Sequence, residues 1–307
     1  MLALVRSKSA LRMASGARAA STVGAALDAA VARLPHKEAL RSVKQDVRWS
    51  FKELSAAVDE LANGFVDLQF ARGDVVAVWL PNSAENVLTQ LAAAKAGLTL
   101  AVIEPEVSQA DELAFILQDS KASGLVFEPK MQGRNQTEIV QGLFPELASF
   151  RENLEVFRPR NFRHLHNIIT TSWEPVEGMV NLNGMMVNST EPYAMKALTK
   201  TLDDKTPLAV TYSKVAGQNP KKSAVLTHGD LLKRAEKLAK SLNLTATDKI
   251  LLTGEETGLS LGPLAAIGQS SQVVLPSTEF SEEAVQQALE VEHCSIVGSG
   301  LENFKRV

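Results

Sequence analysis

The stretch Gly73–Ile103, GDVVAVWLPNSAENVLTQLAAAKAGLTLAVI, decides the fold. Gly73-Asp74 turns the chain into the apolar run Val75–Leu80, which reads as a buried strand. Pro81-Asn82-Ser83 punctuates that run, and Ala84–Lys95 then reads as a helix. Gly97 ends the helix, and Leu98–Ile103 is a second apolar strand. Strand, helix and strand joined by short connections imply parallel pairing, with helices on the sheet faces.

The alternation extends both ways. Toward the amino end, Leu27–Leu34 reads as a short helix closed by Pro35, and Val47–Ser50 as a short strand. Phe51, Leu54, Val58, Leu61, Phe65 and Leu68 recur at spacings of three and four, the stripe of an amphipathic helix. Toward the carboxyl end, Asp111–Asp119 is helical, while Gly124–Phe127 and Ile168–Thr171 are core strands. Further on, Leu208–Tyr212, Ile250–Leu252, Gln272–Leu275 and His293–Val297 read as strands. Asp230–Leu242, Leu259–Gly268 and the segment from Phe280-Ser281-Glu282-Glu283 to Val291 read as helices, and Gly298–Val307 trails off. The expected fold is a layered α/β/α arrangement with mostly parallel sheets, in two packed subdomains. The expected division is a 1–22 leader, a first α/β subdomain over 23–205 and a second, incomplete one over 206–307, with the junction near Asp203–Pro207.

Composition excludes several classes. The 307 residues carry a net charge of −3, so no basic footprint argues for nucleic acid. No run approaches the ~18 apolar residues of a membrane helix. The single cysteine, Cys294, excludes an internal disulfide and a Cys-based zinc cluster, and its apolar surroundings suit a buried strand. Asn135, Asn188 and Asn243 head glycosylation sequons that matter only in a secreted chain. Met1–Thr22 carries Arg6, Lys8, Arg12 and Arg18, is rich in serine and alanine, and has no acid before Asp28. That is the composition of a mitochondrial presequence, the alternative being an ordinary basic helix.

Several residue groups have both a bland and a chemical reading. His164 and His166, two apart, would share a face on a strand, but no third metal ligand lies near them. Arg158, Arg160 and Arg163 form a basic cluster, a solvated edge or a partner contact. Met179, Met185, Met186 and Met195 suit filling of irregular core gaps, with an adaptable partner surface as the alternative. Glu255 and Glu256 are adjacent, so they point apart and read as a solvated turn rather than an acid/base pair.

Trp49-Ser50-Phe51-Lys52-Glu53-Leu54, Leu61-Ala62-Asn63-Gly64, Gly73-Asp74-Val75-Val76-Ala77, Leu80-Pro81-Asn82-Ser83 and Ala93-Ala94-Lys95-Ala96-Gly97 follow one another in an order and spacing that resemble the acyl-CoA synthetases. These belong to the acyl-adenylate-forming superfamily. Glu104-Pro105 stands where that family has Asn-Pro or similar, and Leu113–Leu117 with Asp119-Ser120-Lys121-Ala122 also corresponds. Phe144-Pro145-Glu146-Leu147, Phe162-Arg163-His164-Leu165 and Ile168–Thr171, with Gly178 beyond, resemble the medium-chain branch, several of whose members are mitochondrial.

The segment Thr206–His228, TPLAVTYSKVAGQNPKKSAVLTH, is similar to the family's phosphate-binding loop, roughly Tyr-Ser-Ser-Gly-Thr-Thr-Gly-Leu-Pro-Lys-Gly followed by Leu-Thr-His. Tyr212, Ser213, Pro220, Lys221, Leu226, Thr227 and His228 match, and Gly217 survives between them. Lys214-Val215-Ala216-Gly217-Gln218-Asn219 replaces the Ser/Thr/Gly run, and one extra residue separates Lys221 from Leu226. Glycines let the backbone approach a polyphosphate and hydroxyls add donors; Val215 and Ala216 supply neither. The resemblance therefore implies vestigial positions at Tyr212, Ser213, Gly217, Lys221, Thr227 and His228. No catalytic residue, cofactor or metal is expected. The alternative is a working loop in which Lys214, Lys221 or Lys222 meets phosphate. Any surviving pocket should border Ser213–Lys222, since sheets of this kind place ligands beyond strand carboxyl ends.

The family's aromatic-His pair on the acyl pocket has no counterpart in Thr253-Gly254-Glu255-Glu256-Thr257-Gly258. With Val307 taken as the natural end, the resemblance also implies that the second nucleotide motif, ribose-binding Asp, hinge and lysine-bearing small domain are missing. The expected function is a non-catalytic accessory subunit of a mitochondrial assembly, a respiratory complex or ATP synthase, in the matrix or on the matrix face of the inner membrane. Its partners would be other protein subunits. The alternatives are a divergent or split ATP-dependent acyl-CoA synthetase and a CoA- or nucleotide-binding regulatory module.

Overall fold

In the computed structural model of this chain, residues 20–150, 157–186, 192–255 and 258–307 are described. Most of the leader, and also Asn188, Glu256 and Thr257, lie outside the described residues. In chain order the elements open with α1 (Val23–Arg33), β1 (Glu38–Ser42), β2 (Val47–Ser50), α2 (Phe51–Asp67), β3 (Val75–Trp79), α3 (Ala84–Lys95), β4 (Thr99–Ile103), α4 (Ala110–Ser120) and β5 (Gly124–Phe127). A small hairpin of β6 (Lys130–Met131) and β7 (Arg134–Asn135) leads to α5 (Gln136–Leu143), β8 (Asn167–Thr170), β9 (Val180–Asn181), α6 (Leu182–Met185) and α7 (Pro192–Thr199). The last third holds β10 (Pro207–Ser213), β11 (Lys221–Lys222), β12 (Leu226–Thr227), α8 (His228–Ser241), β13 (Lys249–Leu252), α9 (Gly262–Gln269), β14 (Gln272–Leu275), α10 (Glu282–Glu292), β15 (Ile296–Ser299) and β16 (Asn303–Arg306).

Two sheets result. One runs β16-β15-β13-β14-β1-β2; the other runs β11-β10-β4-β3-β5-β8-β9, with β12 also paired to β10. Alternating side chains divide each central strand between two cores. Val76 and Val78 of β3 face the helices α1, α2, α3, α8 and α9, which lie between the sheets; Ala77 and Trp79 face α4 and α5 outside. In β13, Ile250 and Leu252 face that same middle layer, while Leu251 packs outward with Val285 and Ala288 of α10. The expected α/β/α layering is present in both halves, which share their central helical layer.

Local chemistry explains the principal helices. Ser50 and Glu53 form a capping box at the start of α2. The stripe Phe51, Leu54, Val58, Leu61 and Phe65 is buried along that helix. The buried ammonium of Lys95 reaches Asp28 on α1 at 2.9 Å and Asp59 on α2 at 2.6 Å, tying three helices together. Burial works against its charge, but the bonds to Asp59 and Asp28 outweigh it and hold its pKa above the usual lysine value. Met179, Met185 and Met195 are buried, as core filling requires.

Three sequence expectations are corrected. First, sheet membership does not follow the 205/206 division: β1 joins the later strands in parallel register, Leu40 beside Val273, whereas β10 joins the earlier ones, Tyr212 beside Ile103. Second, His293 is not in a strand. It closes α10 in the left-handed region (φ 54°), and the strand begins at Ile296. Third, the tail does not trail off. β16 folds back antiparallel on β15, with Gly298 opposite Phe304, whose ring occupies the space a side chain at 298 would need. His164 and His166 likewise precede β8 rather than lying on it, and among the described residues no cluster of three metal-ligating side chains is present.

Candidate functional site

The segment with the altered loop is a hairpin. β10 runs parallel to β4, and β11 returns antiparallel with Tyr212 opposite Lys222 and Ser213 opposite Lys221. Residues 214–220 therefore hang beyond the carboxyl ends of β4 and β10. Gly217 adopts a positive φ of 68° at the tip. The backbone turn thus survives where the sequence around it has changed.

The six positions read as vestiges of a phosphate-binding segment fall into two groups. Ser213, Gly217 and Lys221 lie at the loop, with Tyr212 buried just behind it. Thr227 and His228 follow β12, which pairs with Pro207 and Ala209 at the opposite end of β10. Across a seven-residue strand that separation is on the order of 20 Å. Thr227 there forms a capping box with Asp230, and buried His228 accepts the Val23 N–H on Nδ1 at 3.1 Å. Burial pushes the imidazole pKa down to about 4. Both residues hold helices in place.

Two of the three lysines near the loop are already engaged. Lys214 donates to the Glu106 carbonyl at 3.2 Å and lies 3.3 Å from Glu112. Lys222 lies 2.8 Å from Asp119, whose same oxygen accepts the Tyr212 hydroxyl at 2.6 Å, and its ammonium sits 5.6 Å from the Tyr212 ring centre. Hydrogen bonds from Lys222 and Tyr212 hold the Asp119 carboxyl below its usual pKa, while burial and Asp119 push the Tyr212 hydroxyl far up. Lys221 is exposed and has no partner among the described residues.

The Asp119 arrangement yields a stability prediction. Asp119→Ala should cost about 2 kcal/mol, because it strands the hydroxyl of fully buried Tyr212. Lys222→Ala should cost under about 1 kcal/mol, since its ion pair is partly solvated. Urea unfolding of both variants measures the difference, and equal losses would show that the tyrosine bond contributes nothing.

The nearby concave space lies where the carboxyl ends of both sheets meet. A cavity of about 260 Å³ is lined by Pro105, Glu106, Gln132, Glu255, Glu279 and Phe280, among others. A pocket bordering Ser213–Lys222 was expected, but no residue of that segment lines this cavity; Glu106 links it to the loop, through its carbonyl bond to Lys214. Glu106, Glu255 and Glu279 bring three carboxylates to this opening. Arg134, which donates to the Pro105 carbonyl and the Gln132 side chain, brings one cation. The balance is negative, which favours cations and opposes a polyphosphate. Glu128, after β5, was not foreseen. Burial raises its pKa, and the Thr171 hydroxyl donates to it at 2.5 Å. A lone glutamate after an apolar strand gives no sequence signal for this.

The family model described as "AMP-binding enzyme" matches residues 27–299. The chain belongs to the AMP-binding enzyme family. It is 25% identical over 283 residues to the mitochondrial medium-chain acyl-CoA ligase ACSF2 of Rattus norvegicus, covering 87% of this chain and 44% of the ligase. It is 27% identical over 287 residues to the ACSF2 ligase of Danio rerio, covering 90% of this chain and 46% of the ligase. The chain therefore spans about half the length of these AMP-binding relatives. Among solved structures, the N-terminal domain of FACL13 from Mycobacterium tuberculosis superposes with a TM-score of 0.68 at 18% identity, covering 91% of this chain and 62% of that one. Acetoacetyl-CoA synthetase from Streptomyces lividans gives 0.71 at 19%, covering 91% and 42%. The latter two establish the AMP-binding fold.

Proposed function

We propose that this AMP-binding family member is non-catalytic and serves as a structural or accessory subunit of a mitochondrial assembly, a respiratory complex or the ATP synthase. The observation that carries the reading is the loop. Lys214 and Lys222 are held by Glu112 and Asp119, and Val215 and Ala216 stand where the family's hydroxyl and glycine donors would meet phosphate. The carboxylates of the adjoining cavity add repulsion toward a polyphosphate. Adenylation depends on aligning and neutralising phosphates, which this environment opposes.

A mitochondrial location is supported by the names of the ACSF2 relatives and by the arginine-bearing, acid-free start of the sequence. Exposed apolar side chains support a protein partner. Trp173, beyond β8, is 86% exposed, and Phe280, at the mouth of the acidic cavity, is 50% exposed. The test is native-gel fractionation of mitochondria with mass spectrometry of each slice. Co-migration with one large complex in fixed ratio to its subunits is the expected result; a free pool of the chain alone would overturn the assembly role.

A divergent ATP-dependent ligase is the second reading, favoured by the preserved hairpin and by unengaged Lys221. ATP–pyrophosphate exchange by the natural full-length protein, lost on Lys221→Ala, would establish it. Absence of exchange across medium-chain and other carboxylic acids is the expected outcome.

A further inference from the structure

A second cavity, of about 400 Å³, opens at the other end of the β10-containing sheet, between the end of α4 and the turns that precede β8. β5 and β8 are parallel neighbours, Gly124 beside Asn167, so the segments entering them meet at the amino ends of the strands. The altered loop and the acidic cavity lie beyond the carboxyl ends. The two regions are therefore separate sites.

Successive tight turns build the second cavity. Phe162 N–H donates to the Pro159 carbonyl at 3.2 Å, and Leu165 N–H to the Phe162 carbonyl at 3.0 Å. These turns bury Phe162 while leaving Arg160, Arg163 and His164 exposed. Lys121 closes α4 from the other side, beside buried Leu117, in the left-handed region at φ 55°. The opening thus has an apolar floor at Leu117 and Phe162 and a cationic rim of Lys121, Arg160 and Arg163. A lysine at a helix carboxyl end suits the helix dipole and needs no ligand. That does not account for two arginines brought to the same opening by a different segment. None of the three cations has an ion-pair partner among the described residues, in contrast to Lys214 and Lys222 on the hairpin.

We propose that this cavity binds a phosphate group carried on an apolar or aromatic body. Guanidinium forks match phosphate oxygens in bidentate geometry, and three like charges around one opening are stabilised by a shared anion. The volume lies within the range of small-ligand sites, and the apolar floor provides for the group the phosphate carries. The same chemistry is offered by a soluble phosphate ester and by a phospholipid headgroup.

The test uses the full chain with two probes. Phenyl phosphate is titrated by calorimetry, and phosphatidylcholine vesicles containing phosphatidate are followed by co-flotation. Wild type is expected to bind in at least one arm: phenyl phosphate alone identifies a soluble ester, and co-flotation identifies a lipid headgroup. The Arg160→Ala/Arg163→Ala double variant should bind about 100-fold more weakly, about tenfold for each charge-assisted contact removed. Lys305→Ala, which removes an exposed cation on β16, at the edge of the other sheet, should bind as wild type does. Unchanged melting and circular dichroism of the double variant would show that its fold is intact, as expected for exposed side chains. Failure of wild type to bind either probe overturns the proposal. So does undiminished binding by the double variant, or an equal loss in Lys305→Ala, which would reveal attraction to net charge alone.

Discussion

Asp248→Ala is expected to lower the unfolding free energy by about 3 kcal/mol, because it removes at once an ionised acceptor that several hydrogen bonds share. Asp248 is buried and ends the turn before β13. Its carboxylate accepts from Thr245 N–H at 2.7 Å, the Thr245 hydroxyl at 2.8 Å, the Ser295 hydroxyl at 2.7 Å and Arg306 Nη1 at 2.7 Å. One side chain thus fastens the start of β13, the start of β15 and the end of β16. Burial opposes its charge, but bonds from Arg306, Ser295 and Thr245 prevail and hold its pKa well below the carboxylate range. Arg306→Ala should cost less, because the Asp248 carboxylate left behind keeps its bonds from Thr245 and Ser295, whereas Asp248→Ala removes all of these contacts at once. Urea unfolding of the two single variants and the double variant gives the coupling directly. If Asp248→Ala unfolds within about 0.5 kcal/mol of wild type, β16 is not held through this carboxylate.

The fate of β16 shows what the sequence could and could not disclose. Central strands such as Val75–Trp79 were legible because they are buried on both faces and read as unbroken apolar runs. β16, Asn303–Arg306, is an edge strand with little burial, and its pairing depends on Arg306 finding Asp248 some 58 residues away. β1 was missed for a related reason: Glu38 and Arg41 interrupt its apolar pattern, and buried Arg41 is tolerated only because Glu292 lies 3.3 Å away and Asp46 2.9 Å. The sheet exchange that places β1 among the later strands follows from that non-local pairing and leaves no local mark.

At the candidate site the loop's altered composition was readable, while the use made of its lysines was not. Lys214 and Lys222 are paired with Glu112 and Asp119 on α4, about 100 residues earlier in the chain, so their engagement is a product of tertiary packing. The same applies to the carboxylates of the acidic cavity, which reach it from separate connections. Thr227 and His228 match the family's sequence around the loop, yet they lie at the opposite end of β10 and stabilise helix starts. A sequence match near a loop therefore identified two residues whose work in this chain is structural.

His228 gives the second large effect, as a function of pH. Its pKa in the folded chain is about 4, against an ordinary 6.5, with burial the principal cause and Asp203 acting in the opposite sense. Above pH 6.5 the imidazole is neutral whether the chain is folded or unfolded, and its contribution is fully present. As pH falls from 6.5 toward 4, the unfolded chain takes up a proton that the folded chain refuses, so stability declines. The full decline is about 3 kcal/mol, and below about pH 4 this component levels off. His166, also lowered by burial, acts in the same direction, whereas depressed carboxylates such as Asp248 act below 3.8. His228→Asn should accordingly flatten most of the loss between pH 6.5 and 4, and a His228→Asn/His166→Asn variant should flatten it further. At neutral pH, His228→Ala should cost about 2 kcal/mol by leaving the buried Val23 N–H without its acceptor. Equilibrium unfolding across this pH range checks the slope, and NMR titration of the imidazole checks its cause. An unaltered slope in His228→Asn, or protonation of the folded residue near pH 6.5, would mean that the contact between α1 and α8 does not depend on a neutral imidazole.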